Sequence, residues 1–423
     1  STTDHILDTA IVEAAIAARK GISDEQKEAV YASTYSDKFV TVVEGTAGAG
    51  KSFTMAAVKK SYIDSGYHVM GTALSWNAAG VLAASTGLSD CEALQGLLNK
   101  MKKAEKNGIE YFRKPTLLIV DEAGLVGSKH MSTLLKYCYE AKEKVKVVLT
   151  GDSLQLNPIE AGNALEALVS YHGTTRIDTI RRQRQDSHKI AVKKFSQRFS
   201  GEALYTFKQQ EALHWCENKE TQYNVVVRDF LSYKYKFPDK KPLILALSNA
   251  DVSELNKRVR AAYKKMGLVY GHEVNLSVTD GKEVWKASFA IGDEVVVRAN
   301  SKELLVYEIP SDTKNMDEES WIQKRVGVFN RNNGRVVGVK PSKTPEGSYD
   351  IVIDMVGDLE GRIVLNTKKF RHQEKPAFPV VHNFATTIYA SQGQTVNKVF
   401  LIDSDLIEFR LAYVGMSRHT DSV

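Results

Sequence analysis

The chain has 423 residues, of which 43% are hydrophobic and 26% charged, with a formal net charge of +6. This length predicts several domains, and the composition excludes a disordered or collagen-like chain. The mild basicity permits a polyanionic partner without requiring one. Three scattered cysteines and the lack of an apolar run of about 18 residues disfavour a disulfide framework and a membrane span, so we expect a cytoplasmic protein without a membrane partner.

The N-terminal part alternates helical and strand-like segments. Residues 4–19 have helical apolar spacing, and Ser23 with Gln26 forms a capping-box pattern that starts a second helix. Short apolar runs, typical of strands buried in a parallel sheet, occur at 39–43, 68–74, 116–120 and 146–150. This alternation predicts a doubly wound α/β domain.

A glycine-rich segment lies between the run at 39–43 and a helical stretch, and it fits the pattern G-x-x-x-x-G-K-[ST]. Its members are Gly45, Thr46, Ala47, Gly48, Ala49, Gly50, Lys51 and Ser52. In this pattern the loop amides surround phosphates, Lys51 reaches the β- and γ-phosphates, and the Ser52 hydroxyl ligates Mg²⁺. A glycine-rich turn with a stray lysine is the alternative, and the flanking strand and helix disfavour it. The segment predicts binding of ATP with Mg²⁺.

An acidic pair, Asp121-Glu122, follows the run at 116–120. Parallel sheets place their ligands at the carboxyl ends of strands. We therefore expect Asp121 to hold Mg²⁺, directly or through water, and Glu122 to position and deprotonate the attacking water.

The texture of the chain changes in its second half. Residues 242–247 and 251–265 form a strand–helix unit. The pattern changes from about 272, and the short strands at 294–298, 335–339, 349–353 and 362–365 are separated by Gly and Asn turns. The latter pattern is typical of a small antiparallel barrel. An α/β texture returns at 382–418, which predicts a discontinuous second α/β domain, while 301–326 cannot be assigned.

Four further segments resemble motifs of superfamily 1 helicases: G-D-S-L-Q-L-N-P at 151–158, I-R-R-Q at 180–183, A-T-T-I-Y-A-S-Q-G-Q-T at 385–395, and Y-V-G-M-S-R at 413–418. The resemblance implies that Gln155 senses the γ-phosphate. It also implies that Arg182 and Arg418 reach that phosphate and that Gln392 and Gly393 lie near the nucleotide. Gln26 matches the adenine-reading glutamine of these proteins. Since Gln26 also completes the capping box, both roles stay open.

Within that superfamily the chain resembles the RecD-like, 5′→3′ group, and above all the helicase half of TraA-type conjugative relaxases. The segments that carry this resemblance are 69–79, 120–127, 159–162 and 247–256. It implies an α/β fold with two RecA-like P-loop NTPase domains, parallel sheets with helices on both faces, and an inserted small β-barrel of the Src-homology-3 type. The expected bounds are 1–172 for the first domain with a short insertion at about 99–115, 173–271 plus 379–423 for the second, and 272–378 for the barrel.

Two departures from that group affect the interpretation. The relaxase nicking domain is missing, since no His-x-His occurs, and the chain begins without Met and stops at Val423. We therefore expect either the motor part of a longer protein or a free-standing relative. Gln95 stands where relatives often have His, and the strand-splitting pin expected at 99–115 is short, so translocation is better supported than unwinding.

Candidate DNA contacts follow from the same resemblance. They are Ser75, Trp76 and Asn77 in the first domain, and Thr386, Thr387 and Tyr389 in the second. Trp76 either stacks on a base or belongs to the core. The lysines at 100, 102, 103 and 106 fit a solvated helix face.

Together these features predict an ATP-dependent DNA helicase or translocase. We expect it to act as a monomer on single-stranded DNA next to a duplex junction, with a covalently linked or separate relaxase domain as a partner. The alternative is a single-stranded-DNA-binding accessory module whose ATPase has lapsed. A P-loop kinase or small GTPase is disfavoured by Gln155 and by the motifs after residue 180.

Overall fold

The computed structural model describes residues 5–156, 158, 162–299, 301, 305–308, 322–325, 332–356, 361–404 and 407–423. Most of the unassigned segment 301–326 lies outside this set. Residues 159–161, which belong to a segment that resembles TraA-type relaxases, also lie outside it. The chain divides into two compact units, Ser1–Cys216 with Ile388–Val423, and Glu217–Thr387. The three-part division expected from the sequence uses other bounds and stays a prediction. Among the described residues, no helix combines the length and apolarity that crossing a membrane requires.

Within its described residues, the first unit begins with nine helices and six strands that mostly alternate along the chain. The helices are α1 Thr9–Ala17, α2 Asp24–Thr34, α3 Lys51–Asp64, α4 Trp76–Thr86, α5 Leu94–Lys106, α6 Ser128–Glu140, α7 Ala164–His172, α8 Asp186–Ser196 and α9 Ser200–Lys208. The strands are β1 Val40–Gly45, β2 His68–Ala73, β3 Cys91–Ala93, β4 Thr116–Val120, β5 Val145–Gly151 and β6 Thr175–Ile177. The predicted strands are thus present, with ends shifted by one or two residues.

These six strands form one sheet in the order β3-β2-β4-β5-β1-β6, and the paired strands run parallel. Strands β1, β4 and β5 are buried along their whole length, and helices cover both faces of the sheet through two separate apolar clusters. Burial on both faces explains why their sequences are continuously apolar. The predicted α/β fold with a parallel sheet is confirmed. Because the strands are parallel, the carboxyl ends of β1, β4 and β5 lie at one edge of the sheet.

The capping box predicted at the start of α2 is present. The Gln26 amide donates to Ser23 Oγ, and the Ser23 amide donates to Gln26 Oε1. These two bonds satisfy donors that a helix start leaves unpaired. Because Gln26 belongs to this cap, its side chain has a fixed position in the structure.

The expected insertion at 99–115 begins inside α5. This helix buries Leu94, Leu97, Leu98 and Met101 in the core of the first unit, and Lys102, Lys103 and Lys106 are exposed. The Lys100 ammonium pairs with Glu92 Oε1 at 2.8 Å. The lysines therefore occupy the outer face of a packed helix, as the sequence predicts.

The second unit starts with two helices around a strand and continues as antiparallel strands. Its helices are α10 Lys219–Lys236 and α11 Asn249–Lys265. Its strands are β7 Pro242–Ala246, β8 Tyr270–Thr279, β9 Val284–Ile291, β10 Glu294–Val297, β11 Leu305–Glu308, β12 Ile322–Arg325, β13 Asn333–Ser342, β14 Ser348–Val356, β15 Gly361–Asn366, β16 Val380–His382 and β17 Ala385–Thr387.

Seven of these strands form a sheet in the order β12-β11-β15-β14-β13-β10-β16, and its pairs are antiparallel. Strands β8 and β9 form a separate antiparallel hairpin, which the sequence did not predict. Strand β17 pairs with β7 in parallel. The antiparallel character expected after residue 272 is therefore present, whereas closure into a barrel of a particular type stays a prediction.

The C-terminal residues return to the first unit. They form strand β18 Val396–Leu401, helix α12 Phe409–Met416 and strand β19 His419–Ser422. Strands β18 and β19 pair in parallel. Residues of α12 pack with Ala47 of the glycine-rich loop and with α8 and α9 in one apolar cluster. This packing brings the segment 413–418 to the edge of the sheet at which β1, β4 and β5 end.

Candidate active site

The glycine-rich loop joins the end of β1 to the start of α3. Gly48 and Gly50 have φ angles of 86° and 85°, a region that L residues seldom adopt. A Cβ added at Gly48 would lie 2.6 Å from Arg182 Cβ, and one at Gly50 would lie 2.7 Å from Gln26 Nε2. Both glycines are thus required by backbone conformation and by close neighbours. One of those neighbours is a predicted phosphate-contacting arginine and the other the predicted adenine reader.

The loop forms an anion site at a helix N-terminus. Lys51 and Ser52 are the first two residues of α3, so unpaired amides and the positive end of the helix dipole face the same space. The Lys51 ammonium donates to the Gly45 carbonyl at 2.7 Å. It is therefore held across the loop, ready to exchange this carbonyl for a phosphate oxygen.

The acidic pair lies where β4 ends. The Asp121 amide donates to the Thr72 carbonyl of β2 at 2.8 Å, which fixes the backbone at the sheet edge. Glu122 has a φ of 49°, and a residue other than glycine held in this region marks local backbone strain. Desolvation and the neighbouring Glu122 raise the pKa of Asp121 to about 7, although Lys51 acts in the opposite direction. The Asp121 carboxyl thus has too little positive charge around it.

The lack of positive charge around Asp121 allows a test of whether the site suits Mg²⁺. The Ser52 hydroxyl and the Asp121 carboxylate are hard oxygen donors of the kind that Mg²⁺ uses together with phosphate oxygens. A divalent cation would supply the positive charge that Asp121 lacks. The donor set therefore fits the metal. No cluster of three or more His, Cys, Asp or Glu residues suited to a metal occurs in the described part of the chain.

A hydrogen-bonded chain connects the glycine-rich loop to Gln155. The Ala47 amide donates to Tyr413 Oη at 2.8 Å, and that hydroxyl donates to Asp152 Oδ2, also at 2.8 Å. Gln155 Nε2 donates to the same Asp152 oxygen at 3.0 Å. Tyr413 is fully buried, and Asp152 and Gln155 are 3% exposed. The structure thus brings the predicted γ-phosphate sensor to the loop through two residues that the sequence did not single out.

Arg418, one of the two predicted arginines of the site, is 2% exposed. It donates to the Val414 carbonyl at 2.9 Å, to Ser417 Oγ at 3.0 Å and to Gln155 Oε1 at 3.4 Å. Burial lowers the pKa of its guanidinium, and the attraction of Glu122 offsets this only in part. Arg418 therefore lies directly behind the sensor glutamine.

The other predicted arginine, Arg182, contacts both the phosphate loop and the C-terminal motif at 413–418. Its amide donates to the Gly48 carbonyl at 3.2 Å, and its Nη1 donates to the Ser417 carbonyl at 3.1 Å. Burial and the neighbouring Arg418 lower its pKa to about 9. Two cations held close together in a desolvated place form a strong attractor for a multiply charged anion.

Gln26 serves the cap and the loop simultaneously. Its Oε1 accepts from the Ser23 amide, and its Nε2 donates to the Ala49 carbonyl at 3.1 Å. The side chain is fully buried. The capping role is confirmed and the side chain contacts the phosphate loop, so the two roles left open by the sequence do not exclude each other. Adenine recognition stays a prediction.

The other predicted nucleotide contacts, Gln392 and Gly393, lie outside this bonded cluster. They follow a short 3-10 turn at Tyr389–Ser391, and the Gln392 amide donates to the Tyr389 carbonyl at 3.4 Å. Gly393 is exposed and has a φ of 81°. Their role at the nucleotide stays a prediction.

The predicted DNA contacts of the first domain begin α4. Ser75 caps this helix by accepting from the Ala78 amide at 3.2 Å, so its hydroxyl has a structural partner. Trp76 is partly exposed, and its Cζ2 would lie 3.6 Å from a Cβ on Gly96, so the indole packs close to α5. The side chain of Asn77 lies outside the described residues.

The predicted DNA contacts of the second domain differ in exposure. Thr386 is buried in β17, Thr387 ends that strand and is partly exposed, and Tyr389 is 45% exposed. Tyr389 therefore offers the largest accessible surface of the three. The DNA-binding roles of all six residues stay predictions.

Comparison with known proteins supports this picture of a nucleotide-binding P-loop unit. Residues 21–218 match the family described as an AAA domain. The chain is 28% identical over its whole length to a probable conjugal transfer protein TraA of Sinorhizobium fredii, and it covers 34% of that protein. It is 22% identical over 76% of its length to the RecBCD enzyme subunit RecD of Buchnera aphidicola, of which it covers 56%.

Among solved structures, the Pif1 helicase from Bacteroides in complex with ADP-AlF3 and ssDNA resembles the chain with a TM-score of 0.53 and 16% identity. The match covers 99% of this chain and 91% of that one. The chain is therefore homologous to TraA conjugal transfer proteins and RecD helicases, and its structural neighbours are Pif1 helicases of superfamily 1. This confirms the resemblance inferred from the motifs. The chain spans about a third of the length of the TraA relatives.

Proposed function

We propose that this chain is an ATP-dependent DNA motor that moves 5′→3′ along single-stranded DNA. The observation that carries the proposal is that Lys51, Gln155 and Arg418, from three separate sequence motifs, meet at one edge of the parallel sheet. Kinases and small GTPases of the P-loop class do not require the two later motifs. The names of the TraA and RecD relatives and of the Pif1 neighbours support the same choice.

We infer a role for each group in phosphoryl transfer, a reaction catalysed mainly by positioning and charge neutralisation. Lys51 and the loop amides hold the β- and γ-phosphates. Glu122 positions the attacking water and takes a proton from it, and Gln155 senses the γ-phosphate. Arg182 and Arg418 neutralise charge that develops on the γ-phosphate. Ser52 and Asp121 would hold Mg²⁺, which neutralises phosphate charge when bound.

The finer architecture belongs to the same proposal. We infer two RecA-like domains and, over 272–378, an inserted barrel of the Src-homology-3 type that helps to hold the DNA strand. The antiparallel strands β8–β16 support this assignment. Ser75, Trp76 and Asn77, with Thr386, Thr387 and Tyr389, would line the strand, and Gln392 and Gly393 would contact the nucleotide. A cytoplasmic monomer at a duplex junction, in a conjugative context with a relaxase domain, completes the proposal.

ATP hydrolysis measured with and without single-stranded DNA tests the motor function. We expect DNA to stimulate turnover and its affinity to fall steeply with salt, because a sequence-independent track binds mainly through phosphate charge. A module with a lapsed ATPase would bind the strand without turning over ATP. A wild-type rate that neither DNA nor RNA changes at any salt concentration would end the motor proposal.

The DNA track is tested with Trp76→Ala. Base stacking on an aromatic side chain contributes about 1–3 kcal/mol, so the single-strand affinity should fall about 5-fold to 150-fold while hydrolysis without DNA persists. Trp215→Ala is the matched control, because Trp215 is 86% exposed in the same unit and has no proposed role. Equal affinities for the two variants would place Trp76 in a purely structural role.

A further inference from the structure

The hydroxyl of Tyr413 is the one group that bridges the phosphate loop and the Asp152–Gln155 pair among the described contacts. It accepts from the Ala47 amide and donates to Asp152 Oδ2, with both distances at 2.8 Å. The ring lies in an apolar cluster with Ala47, Ile180 and Met416. An apolar ring in this cluster needs no hydroxyl for packing, so the hydroxyl calls for a separate explanation.

The bonds of this hydroxyl determine which way the Gln155 amide points. Asp152 accepts from Tyr413 and from Gln155 at the same oxygen, so the amino end of the glutamine faces Asp152. The carbonyl end of the glutamine then faces Arg418, whose Nη2 lies 3.4 Å away. A reversed amide would turn its amino group towards a guanidinium that has only donors to offer. The orientation of the sensor thus depends on a carboxylate that Tyr413 holds in place.

The same hydroxyl satisfies a loop amide that has little access to water. Ala47 is 2% exposed, and a buried amide without a partner costs about 1–3 kcal/mol. Removing the hydroxyl therefore has two consequences. The loop amide loses its acceptor, and Asp152 loses the donor that fixes its side chain. Both consequences fall on groups that surround the γ-phosphate in the proposed reaction.

We propose that Tyr413 is a positioning residue of the hydrolytic step, which sets Gln155 and Arg418 in register with the phosphate loop. The assignment rests on the proposed function. Tyr413 touches neither the reacting phosphate nor the water in this scheme and acts through Asp152. It links three motifs that are far apart in the sequence, since 366 residues separate it from Ala47 and 261 from Asp152.

The test is Tyr413→Phe, which keeps the ring in its apolar cluster and removes only the hydroxyl. We expect kcat for ATP hydrolysis to fall about 10-fold to 100-fold, as for a buried donor left unpaired, while KM for ATP changes less than about 3-fold. Tyr62→Phe is the matched control. Tyr62 is also fully buried in the first unit, and its hydroxyl donates to the Ser33 carbonyl at 2.9 Å, away from the loop.

A double-mutant cycle separates positioning from a general loss of stability. If Tyr413 acts mainly through the sensor, the combined defect of Tyr413→Phe and Gln155→Ala should be well below the product of the two single defects. A combined defect equal to that product, or a wild-type kcat in Tyr413→Phe, would overturn the assignment. Asp152→Asn should reproduce the kcat defect, and it provides the same comparison if Tyr413→Phe does not fold. Wild-type protein without any ATP hydrolysis would instead remove the proposed function, and this assignment with it.

Discussion

Two arginines, one in each compact unit, have opposite surroundings: Arg418 is fully buried, and Arg260 is 12% exposed. In the second unit Arg260 bonds both oxygens of Asp293, at 2.8 and 3.0 Å, and one oxygen of Glu273 at 2.8 Å. Burial alone would lower its pKa, but these two carboxylates outweigh burial and raise it. In the first unit Arg418 bonds only uncharged acceptors within the described part of the chain, and its pKa is lowered.

This difference distinguishes an arginine in a structural ion pair from an arginine whose charge is available to bind an anion. A buried cation is costly unless an anion compensates it, and Arg260 has two such anions within the protein. Arg418 and its neighbour Arg182 bond no carboxylate among the described contacts, and the attraction of Glu122 offsets their burial only in part. In the proposed reaction a ligand supplies the remaining negative charge. In the proposed function the triphosphate of ATP is that anion. The missing carboxylate partners therefore support the proposed site at this edge of the sheet more directly than burial does.

The largest expected effect follows from removing an uncompensated arginine. Arg418→Ala and Arg182→Ala should each lower kcat about 10³-fold to 10⁵-fold, the range for arginines that neutralise the transferred phosphoryl group. Nucleotide affinity should fall much less. Steady-state hydrolysis and nucleotide titration measure the two quantities. Normal turnover in either variant would make that arginine structural.

The next largest effect on kcat is expected from Glu122, an acidic residue of the same site. Glu122→Gln keeps the shape of the side chain and removes the proton acceptor, so kcat should fall about 10²-fold to 10⁴-fold with ATP still bound. Lys51→Ala should abolish hydrolysis by removing the phosphate contact, which makes it the reference for a dead site. Near-normal turnover in Glu122→Gln would move the role of general base to another residue.

Breaking the compensated cluster should instead change stability. Arg260→Met leaves Asp293, which is fully buried, without the guanidinium that it bonds twice, and breaking a buried pair in this way costs about 3–5 kcal/mol. Denaturant unfolding followed by a probe in the second unit measures the loss. Arg258→Met is the control, since Arg258 pairs with Glu220 and Glu254, which are more exposed, and should cost about 1 kcal/mol or less. Equal losses would show that burial of the ion pair does not decide its strength.

The sequence predicts those parts of the site that depend on short-range signals. A buried β-branched run, three glycines and a Lys-Ser pair identify the phosphate loop, because the strand, the turn and the helix start are all encoded within 39–58. The capping box of α2 is local in the same sense. Asp121-Glu122 is recognisable because four apolar residues precede it.

Contacts made across the fold could not be predicted in this way. Nothing near Gly48 in the sequence indicates that Arg182 excludes a side chain there, and nothing near Tyr413 indicates the Ala47 amide. Tyr413 and Asp152 belong to segments that resemble helicase motifs, so the sequence marked both as candidates for the site. It did not indicate the hydrogen bond between them. The hairpin β8–β9 was missed because much of it is exposed, which weakens the apolar pattern that marks a strand.

The smallest expected effect concerns another pair of buried titratable side chains of the first unit, His188 and His419. Their rings are bonded at 2.8 Å, and burial lowers the pKa of His419 to about 3, below the ordinary value of 6.5. At about pH 8 the ring is neutral in the folded and the unfolded chain and contributes no pH dependence. Below about pH 6.5 the unfolded chain takes up a proton that the folded chain refuses, so stability is lost as the pH falls. At about pH 5 this loss is about 2 kcal/mol, and His419→Gln should remove it. Denaturant unfolding of both proteins at the two pH values measures the difference, in which the titration of groups outside this bonded pair cancels. If the free energy of unfolding changes between the two pH values as much in His419→Gln as in the wild type, the folded protein accepts the proton. The histidine pair would then tolerate a buried charge, as the ion cluster around Arg260 does.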